Sequence, residues 1–228
     1  ARDEQELALQ LGLYPPLAVS RSWAAPEAGR ACARALELCR KIGETPQTFT
    51  VLILLRAYYV CRAEDRKGLE VAEQALDLAQ RSQDPLKISL AHFGMGMSLF
   101  HLGEWQQARI HFEQMIVSSD REQQRALLFL LGWNPMLWAL SWQASALWFL
   151  GYPDQAFNRD QEAVAFAREL DHPHSLAFAL LEGGMLHRFR RDLQAAQRYA
   201  EEAMRLSTEG GFSFFQAWAA ANLGWVHA

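Results

Sequence analysis

Small residues recur along this chain at nearly fixed intervals, and this recurrence restricts the fold more than any other feature of the sequence. From Ala108, steps of 40 residues lead back to Gly68 and Ala28. A step of 48 residues leads forward to Ala156, and a further 40 to Ala196. Tiny side chains allow two helices to approach closely, and periods of about 20–50 residues are typical of repeat architectures. The spacing therefore predicts an all-α solenoid of antiparallel helix pairs.

The segment 94–115 shows what one repeat contains. Gly96 and Ala108 supply close contacts between two helices, Phe112 supplies a core ring, and Gly103 ends the first helix. The same turn is expected wherever the period places it, although those positions hold different residues. They are Gly151, Ala63, Arg191 and Trp23.

The recurrence divides the chain into five hairpins and one further helix. The approximate ranges are 3–42, 46–82, 85–119, 122–171 and 173–209, with an unpaired last helix at 213–228. The longer step falls near residues 118–135 and is expected to lengthen or split the first helix of the fourth hairpin. In the first hairpin we expect a helix from Glu4 to Tyr14 and then a bend, because Pro15 and Pro16 interrupt the helical hydrogen bonds.

These small-large-small hairpins resemble the tetratricopeptide repeat, and the resemblance covers nearly all of residues 1–228 as a single domain. It implies a right-handed superhelical solenoid. Several segments are similar to the repeat region that follows the cyclase and ATPase modules of bacterial multidomain class III adenylate cyclases, and more distantly to maltose-regulator-like repeats. They are LELCRKIGETPQTF, DPLKISLAHFGMGMSLFHLGEWQQAR, ALWFLGYPDQAF and HPHSLAFALLEGGMLHRFRRD.

In the tetratricopeptide family, the first helices line a concave face that meets the ligand. Carried over position by position, the resemblance implies an unusually aromatic partner-binding face. Its members are Phe93, Met97, Phe100, His101, Trp138, Trp142, Trp148, Phe149, Phe178, Glu182, Met185, Arg188, Phe189 and Trp225. The alternative is that tightly wound repeats bury these rings against each other as core. A clamp for a peptide carboxylate is not expected, because only Arg188 and Asn222 fit the family's cationic and amide positions.

Composition argues against several other classes of protein. A formal charge of −4 gives no field that attracts nucleic acid. Three cysteines cannot all pair, which favours reduced thiols and a cytoplasmic location. The most apolar stretch, 126–150, is interrupted by Gly132, Asn134, Pro135 and polar residues, so we do not expect it to cross a membrane.

Sites of chemistry are also not expected. The sequence contains no GKS or GKT, HExxH, CxxC or GxSxG motif, so we predict no enzyme activity and no cofactor. His101, His111, His187 and His227 lack the close spacing of metal ligands, so no metal site is predicted. Asp160 stands at a repeat position that holds core residues in the other repeats, and we expect the structure to be locally open to solvent there.

The sequence therefore favours a protein-protein interaction or regulatory scaffold of a larger bacterial signalling protein, which binds a peptide or partner domain through the aromatic face. The partner can be a neighbouring domain of the same chain. The alternative is a small-molecule-sensing repeat domain that regulates an attached ATPase or cyclase. A homodimer through the last helix is a further hypothesis, with Trp218, Leu223 and Trp225 partly exposed.

Overall fold

The computed structural model describes residues 2–20, 24–43 and 45–227, and within these ranges all regular structure is helical. The helices are α1 (Arg2–Ser20), α2 (Pro26–Ile42), α3 (Thr48–Cys61), α4 (Asp65–Ser82), α5 (Pro85–His101), α6 (Trp105–Val117), α7 (Arg121–Leu131), α8 (Pro135–Phe149), α9 (Pro153–Glu169), α10 (Pro173–Phe189), α11 (Leu193–Gly210) and α12 (Ser213–His227).

The helices form two compact units, residues 1–111 and 112–228, with the boundary inside α6. In the first unit α1 to α5 pack in chain order, each against the next, and α3 also packs against α5. In the second unit α8 to α12 pack in the same sequential way, and α10 contacts both α8 and α12. This pattern places the first helices of successive hairpins side by side within each unit.

The recurring small residues lie where the helices meet. Ala28, Ala108 and Ala156 have no exposed surface, and Ala196 is 1% exposed. Gly68 is also buried, and a Cβ added there would lie 3.2 Å from the Val60 side chain. The predicted role of these positions as close helix contacts is confirmed.

The turn that follows each first helix has one backbone conformation although its residue changes. Gly103 and Gly151 have φ values of 81° and 83°, and Ala63 and Arg191 have φ values of 56° and 58°. All four lie in the left-handed region that favours glycine. The repeat therefore imposes the turn even where an L-residue must adopt a strained conformation; Trp23, the fifth position of this column, lies outside the described residues.

Two segments depart from the regular hairpin. The extra residues of the longer step form α7, a separate helix whose N-terminus is capped by the Asp120 carboxylate and which ends at Gly132. The expected bend after Tyr14 is wrong, because α1 continues through Pro15 and Pro16 to Ser20. Each proline removes its own N–H donor and its ring crowds the carbonyl four residues earlier, yet the segment stays helical on both sides of the pair.

Among the described residues, no helix combines the length and the hydropathy needed to cross a membrane.

Candidate functional site

An aromatic column runs across the first helices of the second unit. The rings of Trp138 on α8 and Phe178 on α10 are stacked, with centroids 4.3 Å apart and an interplanar angle of 9°. Phe178 also meets Trp218 on α12 edge to face at 6.5 Å. Phe178 is buried, with 2% exposure, whereas Trp138 and Trp218 are partly exposed. The repeat thus brings Trp138 and Phe178 of the predicted face together with Trp218 of the last helix, and Phe178 is the buried member of the three.

A second aromatic group lies where α8 and α10 end. Trp148 and Phe189 are stacked at 5.8 Å, and Phe149 meets Phe189 at 5.7 Å with an interplanar angle of 59°. Phe149 is 41% exposed and Phe189 is 44% exposed, and Trp148 is partly exposed. We call these three residues the aromatic patch. It is a contiguous, solvent-facing group of rings that involves two successive repeats.

Arg188 is directed toward α12. Its Nη1 donates a hydrogen bond to Asn222 Oδ1 at 2.9 Å, and its guanidinium carbon lies 4.7 Å from the centroid of the Trp225 ring. The side chain is half-buried, and Asn222 is 2% exposed. Arg188, Asn222 and Trp225 therefore form one connected polar-aromatic contact.

The sequence-predicted residues of α5 divide between core and surface. Phe93 and Met97 are buried, with 4% and 6% exposure, so their rings and side chains serve the core of the first unit. Phe100 is partly exposed, and His101 is exposed with its Nδ1 2.7 Å from the Met97 carbonyl oxygen. Because a carbonyl oxygen only accepts, Nδ1 carries the proton in this contact.

Trp142 and Met185, the other predicted members of the face, are partly exposed. Neither belongs to the aromatic patch as its ring contacts define it.

Buried polar groups surround the middle of α10. Glu182 is 2% exposed and Asp160, on α9, is 1% exposed. The expectation that Asp160 lies in a locally open spot is therefore wrong. A Cβ added to Gly183 would lie 2.5 Å from Asp160 Oδ1 and 2.8 Å from Tyr199 Cε2. The absence of a side chain at Gly183 thus makes room for the carboxylate between two helices.

The pKa values of both carboxyl groups are raised above their usual values. Burial, and to a smaller extent the negative charge of Asp160, raises the pKa of Glu182 to about 8. Burial raises the pKa of Asp160 to about 7, against a small opposing effect of its contact with Gln161. Gln161 Nε2 lies 3.4 Å from Asp160 Oδ2 and donates to Tyr199 Oη at 3.0 Å. Glu182 therefore favours the protonated form at neutral pH, whereas Asp160 titrates near neutral pH.

Two of the histidines, His111 and His187, lie close to polar or aromatic side chains. His111 Nδ1 lies 2.9 Å from Nδ1 of His92, a contact that the sequence reasoning missed because the two are on different helices. His187 packs edge-on against Tyr199 at 4.8 Å, and its Nδ1 is 3.7 Å from an Asp192 carboxylate oxygen. In the part of the chain that the structure describes, no three His, Cys, Asp or Glu residues are grouped as metal ligands.

Arg56 is a buried charge that the sequence analysis did not identify. It is 7% exposed, and its guanidinium carbon lies 6.0 Å from the Phe93 ring centroid. Its Cδ would lie 3.3 Å from a Cβ at Gly94, so that glycine accommodates the long side chain. Burial lowers the pKa of Arg56 to about 10. At the repeat spacing its position corresponds to Pro16, Gly96, Ala144, Gly184 and Gly224, and an arginine among these residues was a signal in the sequence that could have identified it.

No protein-family model matches the chain, and no curated protein matches it. Solved structures match it with low sequence identity. The TPR-like repeats of a Podosopora anserina protein described as a kinesin light chain have a TM-score of 0.68 at 16% identity, over 92% of this chain and 98% of that one. A Rap protein complexed with Competence and Sporulation Factor has a TM-score of 0.66 at 13% identity, over 100% of this chain and 66% of that one.

A third similar structure is a signal transduction ATPase with numerous domains from Pyrococcus horikoshii, which has a tetratricopeptide repeat sensor. Its TM-score is 0.65 at 16% identity, over 99% of this chain and 36% of that one. The chain thus spans about a third of that protein. Together with the helical hairpins described above, these matches show that the chain has the fold of TPR-like repeat proteins.

Proposed function

We propose that this chain is a protein-binding repeat module, which holds a peptide or a partner domain on the first helices of its second unit. The observation that carries the proposal is the aromatic patch of Trp148, Phe149 and Phe189. Exposed aromatic rings that are contiguous usually mark an interaction site in a soluble protein, and Trp is among the residues that most often anchor interfaces.

The chemistry of this surface favours apolar contact over the capture of a charged terminus. Arg188 and Arg190 flank Phe189 in the sequence; Arg188 already donates to Asn222 and stacks on Trp225, and the guanidinium carbon of Arg190 lies 4.5 Å from the Phe157 ring centroid. Burial of aromatic area contributes about 25 cal/mol per Å² before the costs of association are subtracted. The partner is therefore expected to present apolar side chains to Trp148 and Phe189.

We propose that the chain is part of a larger bacterial signalling protein. Support comes from the resemblance to the repeat region of multidomain cyclases and from the structural similarity to the sensor-bearing ATPase of Pyrococcus horikoshii. The Rap structure supports peptide binding by analogy, since that protein was solved with Competence and Sporulation Factor bound.

The test is selection of binders from a random peptide library displayed on phage, with the whole chain as bait. We expect Trp148→Ala and Phe189→Ala to weaken the binding of the selected peptides by about 1 kcal/mol or more, the usual cost of removing an interface anchor. Phe129→Ala is the matched control, because Phe129 is 91% exposed on α7 and is not part of the patch. Circular dichroism checks that all three variants remain helical.

Two results would contradict the proposal. One is a library that yields no peptide with saturable binding to the wild-type chain. The other is a set of peptides that bind both patch variants as tightly as they bind the wild type and the Phe129→Ala control.

Small-molecule sensing is the second candidate, favoured by the buried polar groups near Glu182. A thermal-shift screen with sugars and nucleotides separates the two functions, because a ligand of the native state raises the melting temperature by mass action. A concentration-dependent shift that survives in Trp148→Ala and Phe189→Ala would favour the sensing role.

A further inference from the structure

Glu182 is a buried acid without a partner. Its side chain is 2% exposed, and neither carboxylate oxygen has a hydrogen-bond partner. Ser141 Oγ, Ser145 Oγ and Asn222 Nδ2, on the flanking helices α8 and α12, are buried and unpartnered as well. More than about 90% of buried polar groups are satisfied in native proteins, so a concentration of unsatisfied ones indicates that a ligand, ion or water belongs there.

The repeat register tells which neighbour Glu182 faces. Asn222 occupies on α12 the position that Glu182 occupies on α10, 40 residues earlier. Asn222 lies against the preceding first helix, since it contacts Arg188 at 2.9 Å and its Nδ2 lies 3.6 Å from a Cβ built on Gly184. By the same register, Glu182 is directed toward α8.

The surface of α8 in this register carries hydroxyl and indole groups. The positions on α8 that correspond to Gly184 and Arg188 are Ala144 and Trp148. Ser141 and Ser145 share that helical stripe, at three- and four-residue spacing. By this register, we expect Glu182 to face Ser141, Ser145 and the ring of Trp148, which belongs to the aromatic patch.

No basic side chain is available to neutralise Glu182 from the helices that pack on α10. The α8 segment has no Asp, Glu, Lys, Arg or His, and the only such residue in α12 is His227. Arg188, on α10 itself, is engaged with α12 on the opposite side.

The titratable groups of α9 and α11 do not supply the charge either. Asp160 is itself an acid, Arg159 is paired with Glu113 and Glu162, and Arg168 is paired with Glu202. On α11, Arg205 is paired with Glu209, and Arg198 affects the pKa of His187, which packs against Tyr199 at 4.8 Å. The charged neighbour that affects the pKa of Glu182 is an acid, Asp160.

We propose that Glu182, with Ser141, Ser145 and Trp148, receives a cationic side-chain group, the ammonium of a lysine or the guanidinium of an arginine, from the bound protein segment. A carboxylate and a cation form charge-assisted hydrogen bonds, which are about twice as strong as neutral ones. The face of a Trp ring also attracts a cation. This inference rests on the proposed protein-binding function and specifies the chemistry of its partner.

Met185 provides a means of entry. It lies one helical turn after Glu182 on the same face and is partly exposed, and its unbranched side chain adopts alternative rotamers at low cost. A cation that enters ionises Glu182 and releases its proton, because burial keeps the pKa of that carboxyl well above its usual value. Binding is therefore expected to strengthen as the pH rises from 6 to 9.

The experiment uses n-butylguanidinium as the probe and n-butylurea as its neutral isostere, with thermal shift and calorimetry on the whole chain. We expect n-butylguanidinium to raise the melting temperature of the wild type, more at pH 8.5 than at pH 6.5, and n-butylurea to have no effect. Glu182→Gln should abolish the response, and Glu201→Gln, which removes an exposed carboxylate of α11, should preserve it.

The inference is overturned if the wild type does not respond to the cation, responds equally to both probes, or responds equally when Glu182 is replaced by Gln. The comparison of the two probes on the wild type needs no variant, so it stands even where Glu182→Gln fails to fold.

The library selection distinguishes failure of this inference from failure of the proposed function. Selected peptides should be enriched in Lys or Arg and should bind Glu182→Gln at least about tenfold more weakly. Peptides that depend on Trp148 and Phe189 but tolerate Glu182→Gln would leave the proposed function standing and remove the cation site. A response to n-butylguanidinium without any selected peptide would do the reverse.

Discussion

The ring of Trp138 lies parallel to that of Phe178, 4.3 Å away, although the two residues are 40 positions apart in the sequence. The contact exists because each repeat places its first helix beside the first helix of the next. Side chains in one column therefore become neighbours. Asn222 on α12 also meets Arg188 on α10, because these two helices are likewise first helices of successive repeats.

The stacked pair should contribute measurably to stability. Phe178→Ala is expected to lower the free energy of unfolding by about 3–5 kcal/mol, because it leaves a cavity in the core. A double-mutant cycle with Trp138→Leu and Phe178→Leu should give a coupling of about 0.5–1.5 kcal/mol. Urea denaturation measures both quantities. Phe129→Leu, at a position 91% exposed, should change stability little, and an uncoupled cycle would contradict the stacking.

Ala108 should not tolerate a larger side chain. Ala108→Leu is expected to cost about 1–3 kcal/mol of stability through overpacking, since the alanine has no exposed surface. Gln107→Leu is the control, because Gln107 is the adjacent residue on the same helix and is exposed. Chemical denaturation of the two variants gives the comparison, and equal stabilities would mean that the helices are not in close contact at Ala108.

The strained turns can be relieved by glycine. Ala63→Gly and Arg191→Gly should each raise the free energy of unfolding by roughly 0.5–1 kcal/mol, because both residues have positive φ values. Gly103→Ala should have the opposite effect at the equivalent turn. Thermal melts test the three variants, and destabilisation by glycine at positions 63 and 191 would show that those side chains make compensating contacts.

The buried acids make stability depend on pH. The unfolded chain releases the protons of Asp160 and Glu182 near pH 4, whereas the folded pKa values are about 7 and about 8. The folded state binds more protons between these limits, so the contribution of the pair is full below about pH 4 and is lost as the pH rises to about 8.

Asp160→Asn removes one of the two groups. The free energy of unfolding of the variant should equal that of the wild type near pH 4. At pH 8 it should be higher than that of the wild type by about 1–3 kcal/mol. Unfolding measured by urea at both pH values tests this, with Glu201→Gln as the exposed control. A variant less stable at pH 8 would indicate that the ionised Asp160 is stabilised by a partner.

The pair of His92 and His111 gives the first unit the opposite pH dependence of stability. Burial, and the charge of His92, lower the pKa of His111 to about 4. The unfolded chain takes up this proton near pH 6.5, so stability is present above that pH and is lost as the pH falls toward 4. His111→Gln should reduce the loss between pH 7 and pH 5 by about 1–2 kcal/mol after allowance for partial exposure. His227→Gln, at an exposed position, should leave the pH dependence unchanged.

Much of the fold could be predicted from spacing. The all-helical class, the buried small column and the position of the turns follow from Ala108 and its equivalents, because backbone contact between helices requires small residues at a fixed period. The continuation of α1 through Pro15 and Pro16 did not follow. Local rules predict a bend at an interior proline, whereas the observed helix depends on the hydrogen bonds that remain on either side.

The candidate site was only partly predictable. Phe149 and Phe189 were expected on a contact face and are exposed, but Phe93, Met97, Phe178 and Glu182 were expected on the same face and are buried. A column position fixes which neighbour a side chain meets. It does not fix the helix separation, which decides whether that side chain is still reached by water.

The sequence by itself determined which residues share a column and where each hairpin turns, because those properties depend only on periodicity and residue size. Only the tertiary structure decided that Asp160 is buried against Gly183, that His111 meets His92 and that Glu182 has no partner. Such pairings depend on how closely two helices approach, and that distance is set by the packing of all their side chains together.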